Sequence, residues 1–167
     1  MVLGDSLLRD LPVKFQDFPD VHVRVFRGAY IETLKRLFTT GFVERHWVGV
    51  DKLFLLIGTN HVEKYELKEF EFKYKALLQI IRARLGDITL IVCTIPPRPK
   101  DFDDLNDKCK EFNFAIRRTA LKVKAKVELL HKAFLFEGKP KSIYFCDGLH
   151  LSALGVNVLV KAVKRFW

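Results

Sequence analysis

The run Lys52-Leu53-Phe54-Leu55-Leu56-Ile57 carries five consecutive apolar residues, the length of one β-strand. A strand with one wet face would alternate polar and apolar positions, so an unbroken apolar run needs cover on both faces. A parallel sheet between two layers of helix meets that need. Ile88 to Cys93, apolar except at Thr89, forms a further strand, and the stretch between them repeats Leu67, Phe70, Tyr74, Leu77, Leu78, Ile81 and Leu85 at helical spacing before Gly86 stops it.

The rest of the chain fits the same alternation. Met1 to Leu3 is a very short first strand, and Leu7 to Leu11 a short helix that Pro12 should stop. Val21, Val23 and Val25 alternate into a strand ending at Gly28, and Tyr30 to Phe38 is a helix. Leu105, Cys109, Phe112, Ile116, Ala120 and Val123 mark one face of a long helix, Val127 to Leu130 a fifth strand, and Ser152 the cap of a last helix. Strands alternating with helices imply right-handed crossovers and a three-layer α/β/α sandwich of about five parallel strands.

A chain of 167 residues is one domain's worth, so residues 1–167 are expected to form a single domain. The abrupt first strand suggests excision from a longer chain. Asp5 interrupts the N-terminal apolar stretch, which speaks against a secretory leader here. Three scattered cysteines, Cys93, Cys109 and Cys146, suit a reducing intracellular setting, and the first two read as core. His22, His46, His61 and His131 show no metal-ligand spacing, and His61 reads as a solvated loop residue. The net charge of +9 favours an anionic partner, nucleic acid or a membrane surface, as readily as it favours a merely solvated basic surface.

Four short motifs stand at the predicted strand ends: Gly4-Asp5-Ser6-Leu7, Gly28, Gly58-Thr59-Asn60 and Asp147-Gly148-Leu149-His150. In open α/β sheets the active crevice lies at the carboxyl ends of the strands, so the fold should gather these motifs on one edge. Ser6 would open a helical turn, where unpaired N–H groups favour negative charge. A histidine with an ordinary pKa of about 6.5 can accept and return a proton near neutrality. Gly148 allows a turn by which Asp147 can fold back on His150. Taken singly, each residue has a plainer role as a cap or turn residue.

In this order the motifs resemble the GDSL, or SGNH, family of serine hydrolases over nearly the whole chain. The Gly-x-Ser-x-Gly elbow of other α/β-hydrolases is absent, because Leu8 occupies its last position. The resemblance implies a flavodoxin-like SGNH fold, with Ser6 as nucleophile, His150 as base and Asp147 as its orienting acid. It assigns the oxyanion hole to the N–H groups of Ser6 and Gly28 and the amide of Asn60. It implies a serine esterase that acts on small acyl esters, acetyl among them, or on lipid esters, with no metal or organic cofactor.

Gly4-Asp5-Ser6-Leu7-Leu8-Arg9-Asp10-Leu11, Phe26-Arg27-Gly28-Ala29-Tyr30 and Asp147-Gly148-Leu149-His150-Leu151-Ser152 are further similar to the esterase domain in the first open reading frame of some LINE-type retrotransposons. That likeness implies coiled-coil or nucleic-acid-binding segments outside this chain, self-association through them, and a cytoplasmic location. The rival class is a binding module of the same fold that holds nucleic acid or membrane lipid with little catalysis. A loop from Ala133 to Phe145 leads to Asp147, and its segment Phe134 to Phe145, with Lys139 and Lys141, reads either as a membrane contact or as apolar cover for the sheet.

Overall fold

The structure is a computed structural model that describes residues 1–43 and 47–167; His46 lies outside the described residues. Five strands form a wholly parallel sheet in the order β2-β1-β3-β4-β5. They are β1 (Val2–Gly4), β2 (Val23–Val25), β3 (Lys52–Leu56), β4 (Thr89–Cys93) and β5 (Lys126–Glu128). The helices are α1 (Leu11–Lys14), α2 (Ile31–Thr39), α3 (Leu67–Leu85), α4 (Phe102–Lys122), α5 (Leu130–Ala133) and α6 (Ala153–Lys164). A small antiparallel hairpin pairs β6 (Leu135–Phe136) with β7 (Lys139–Pro140).

The apolar residues of β3 and β4 divide between two cores. Leu53 and Leu55 of β3 point into one core with α2, α3 and α4, while Phe54 and Leu56 point into a second core with α1 and α6. β4 divides in the same way, Leu90 and Val92 to the first core and Ile91 and Cys93 to the second. In the first core Phe70 of α3 stacks on Phe112 of α4 with ring centroids 4.1 Å apart. Among the described residues no helix is long and apolar enough to cross a membrane.

Three local expectations fail for tertiary reasons. Pro12 does not stop a helix; it sits in the first turn of α1, where its missing N–H costs nothing, and Ser6–Leu8 forms a separate 3-10 turn. The fifth strand begins earlier than its apolar residues suggest, because Leu130 turns into the second core at the start of α5. The stretch from Ala133 to Phe145 is not a plain loop, since it holds the hairpin and a 3-10 turn at Ser142–Tyr144.

β1 is three residues long yet lies between β2 and β3, fully enclosed. Its last residue, Gly4, runs so close to β3 that a Cβ there would overlap the Leu56 carbonyl and press on Leu8. Gly4→Ala should therefore cost about 3 kcal/mol of stability through overpacking. At this chain length that lowers Tm by roughly 6–12 °C in a thermal melt. A variant melting with wild type would show that the two strands can separate there.

Candidate active site

From β1 the chain passes to β2 on one side and later to β3 on the other, so the strand order reverses at β1. A crevice forms above such a reversal. Ser6 follows β1 on its 3-10 turn, Gly28 follows β2, and Asn60 follows β3 on a second 3-10 turn, Thr59–His61. The three therefore stand in spatial order Gly28, Ser6, Asn60 along one sheet edge. Asn60 Nδ2 donates to the Ala29 carbonyl at 3.0 Å, which ties the turns on either side of Ser6 to each other. That bond uses one of two amide N–H donors and leaves the other for a ligand. Gly28 is exposed, with open space where a side chain would project.

The turn under Ser6 is anchored from both ends. Leu7 and Leu8 are buried in the second core, and Asp5 Oδ1 accepts the Leu7 N–H at 3.1 Å. Asp5 is fully buried. Burial pushes its pKa up to about 6, against the opposing effect of the Leu7, Gly58 and Thr59 amides and of His150.

Asp147 and His150 lie on a turn closed by an antiparallel bridge between Phe145 and Leu151. Asp147 Oδ2 meets His150 Nδ1 at 2.7 Å, and Oδ1 accepts the backbone N–H groups of Leu149 and His150 at 2.9 and 2.7 Å. The hydrogen bond from the His150 ring, helped by the two amides, holds the Asp147 carboxyl well below the usual carboxylate range. An ionised Asp147 keeps the proton of a neutral His150 on Nδ1, so Nε2 is left as the basic nitrogen. His150 is close enough to Asp5 to oppose the rise in its pKa, which sets this turn near the Ser6 turn. His150 Nε2 and Ser6 Oγ do not form a hydrogen bond in this state; such bonds often tighten only around substrate.

His61 corrects the sequence reading. It is fully buried among the rings of Tyr30, Tyr65 and Phe70 rather than solvated. Its Nε2 accepts the Ile31 N–H at 3.0 Å, which caps α2 just after the Gly28-Ala29 turn. No local pattern announces that partner, thirty positions away in the chain. Arg98 and Lys100, on the loop after β4, both contact the turns that carry the candidate residues.

The segment Phe134 to Phe145 divides between its two readings. Phe134 and Phe145 are buried in the second core, whereas Phe136 and Ile143 are exposed and Lys141 lies over the rings of Phe136 and Tyr144. No group of three His, Cys, Asp or Glu side chains converges among the described residues.

Burial lowers the His61 pKa from 6.5 to about 4, with Glu32 opposing. The unfolded chain binds the proton first, so this neutral histidine stabilises the fold above about pH 6.5 and loses that contribution as pH falls through about 4. His61→Ala should be less stable than wild type at pH 7. The gap should narrow by about 2–3 kcal/mol at pH 4.5 in urea denaturation. A gap of constant size would mean that His61 does not titrate in this way.

Comparison with known proteins agrees with this geometry. Residues 2–158 match the family model for the GDSL-like lipase/acylhydrolase family. A Streptococcus pneumonia structure provisionally described as a platelet activating factor superimposes with a TM-score of 0.81 at 24% identity, covering 99% of this chain and 81% of that one. A GDSL-like lipase from Bacteroides thetaiotaomicron gives 0.81 at 17% identity, covering 99% and 85%. Axe2, an acetylxylan esterase from Geobacillus stearothermophilus, gives 0.70 at 18% identity, covering 98% and 91%. No curated protein matches. With Ser6, Gly28 and Asn60 along one edge of the sheet, and a family match over residues 2–158, the chain belongs to the GDSL-like lipase/acylhydrolase family.

Proposed function

We propose that this chain is a serine esterase that removes small acyl groups, acetyl foremost, through an acyl-enzyme on Ser6. The observation that carries the reading is the Asp147–His150 pair, bonded through Nδ1 with Nε2 left free beside the Ser6 turn. In the first step His150 Nε2 takes the Ser6 Oγ proton while Oγ adds to the ester carbonyl carbon. Negative charge then develops on the carbonyl oxygen. The Ser6 and Gly28 N–H groups and the spare Asn60 amide proton are the donors for it. Collapse breaks the bond to the alcohol, which leaves with the proton from His150. Water repeats the sequence on the acyl-enzyme, and the acid departs with Ser6 restored.

The exposure of the site supports a small acyl group on a larger alcohol. The His150 and Asp147 side chains are 26% and 53% exposed, and Gly28 opens to solvent. The acetylxylan esterase among the structural neighbours accords with acetyl as the group removed. The exposed Phe136 and Ile143, beside Lys139 and Lys141, favour a second reading in which the chain holds an anionic lipid surface or nucleic acid. The motif likeness to retrotransposon esterase domains supports a place for either activity in such an intracellular protein.

Ser6→Ala and His150→Ala should each lower turnover of p-nitrophenyl acetate by roughly a thousandfold or more, and the double variant should be little worse than either. Wild type that lacks turnover but binds RNA or anionic liposomes in a salt-dependent way would select the second reading.

Asn60→Ala removes one donor aimed at charge present only in the transition state. It should lower kcat by about a hundredfold with the fold intact. A changed KM with unchanged kcat would place Asn60 against the ground state only.

A further inference from the structure

Resting on the esterase reading above, we propose that Arg98 is a positioning residue that fixes the distance between the oxyanion side and the acid–base side of the site. Arg98 follows the Pro96-Pro97 pair after β4 and is only 5% exposed. Its Nη1 donates to the Thr59 carbonyl at 3.0 Å, at the start of the turn that carries Asn60. Its Nε donates to Asp101 Oδ2 at 3.1 Å, its Nη2 meets the same carboxylate, and Nη2 also lies 3.3 Å from Glu63 Oε1. A buried guanidinium is tolerated when carboxylates and carbonyls satisfy it, and this one has both.

The pairing with Asp101 closes the 3-10 turn Pro99–Asp101. The middle residue of that turn, Lys100, donates its backbone N–H to the Gly148 carbonyl at 3.0 Å. Gly148 is the glycine between Asp147 and His150, with φ +79°, and a Cβ there would lie 2.9–3.1 Å from Lys100 Cβ, N and Cα. The Asp147–His150 turn therefore rests directly on the turn that Arg98 closes. Asn60 hangs from Arg98 through Thr59, and His150 hangs from it through Lys100 and Gly148.

The groups so linked act on opposite sides of one reacting carbon, and a misplacement of about 1 Å between such groups costs on the order of a hundredfold in rate. A lysine at position 98 keeps the charge but has no planar fork, so it cannot hold Asp101 and the Thr59 carbonyl together in the same geometry.

The test is steady-state hydrolysis of p-nitrophenyl acetate by the full chain, with rates normalised to sites titrated by a fluorophosphonate. Arg98→Lys and Asp101→Asn should each lower kcat per titrated site by roughly 10- to 100-fold while KM stays within about twofold. In an Asn60→Ala background, Arg98→Lys should cost less than in wild type, because the part of its effect that runs through Asn60 is already lost while the part that runs through His150 remains. Added guanidinium should partly restore Arg98→Ala, and if that variant does not fold, the Lys and Asn variants carry the test. The NMR signal of the Asn60 side-chain amide should also move in Arg98→Lys. That readout needs no turnover, so inactive wild type would overturn the esterase reading alone. Wild-type kcat per site, or full additivity with Asn60→Ala, or an unmoved Asn60 signal in Arg98→Lys would each overturn the positioning role.

Discussion

Ser6, Gly28 and Asn60 are all referenced to a strand of three residues bonded along both edges. Met1 accepts the Phe54 N–H through its carbonyl, Val2 donates to His22, Gly4 accepts from Phe26, and Asp5 donates to Leu56. A strand this short gains little from its own ladder. It is held because both its edges are paired, on one side to the five-residue β3, and because both its faces are sealed by apolar side chains. Ser6 begins immediately beyond it, so the precision of the serine is inherited from β2 and β3. The same neighbours supply Gly28 and Asn60, and the three loops are consequently referenced to one frame.

Two buried titratable groups beside this frame pull stability in opposite directions. His61, with its pKa lowered to about 4, favours the fold increasingly as pH rises through the interval up to 6.5. Asp5, raised from 3.8 to about 6, does the reverse, because the folded chain holds a proton there that the unfolded chain has already released. Between about pH 4 and 6 the two slopes largely cancel. Above that interval the charged Asp5 remains a standing cost, offset in part by the amides of Leu7, Gly58 and Thr59. The serine turn thus carries a buried charge that the surrounding fold must stabilise.

The sheet was legible because its evidence is local. Leu53 to Ile57 and Ile88 to Cys93 can be covered only by helices on both sides, and the recurrence of Phe70, Tyr74, Leu77 and Ile81 states which side of α3 faces inward. Ser6, Gly28 and Asn60 were legible as residues beyond strand ends, and Asp147 and His150 as a pair folded across one turn. What escaped was whatever depends on a distant partner. Pro12 reads as a stop until the preceding turn is seen to close separately, and His61 reads as a loop histidine until Ile31 is found beside it. Arg98 is one cation among many in a basic chain, and nothing near it in sequence shows the Thr59 carbonyl it meets. The hairpin is hidden because its strands are two residues each, too short for any period to register.

The openness around Gly28 and His150 has a consequence for selectivity. A hydrolase distinguishes alcohols only by touching them, and contacts made in bulk water return little free energy because each replaces a contact with solvent. On the proposed reading, with the carbonyl of the acyl group against the Gly28, Ser6 and Asn60 donors, the alcohol half would point past His150 towards solvent. Such an edge reads the group that is removed and largely ignores the molecule that bears it. Any preference for one bearer must come from surfaces beyond this edge, by bringing that molecule to the edge and holding it there.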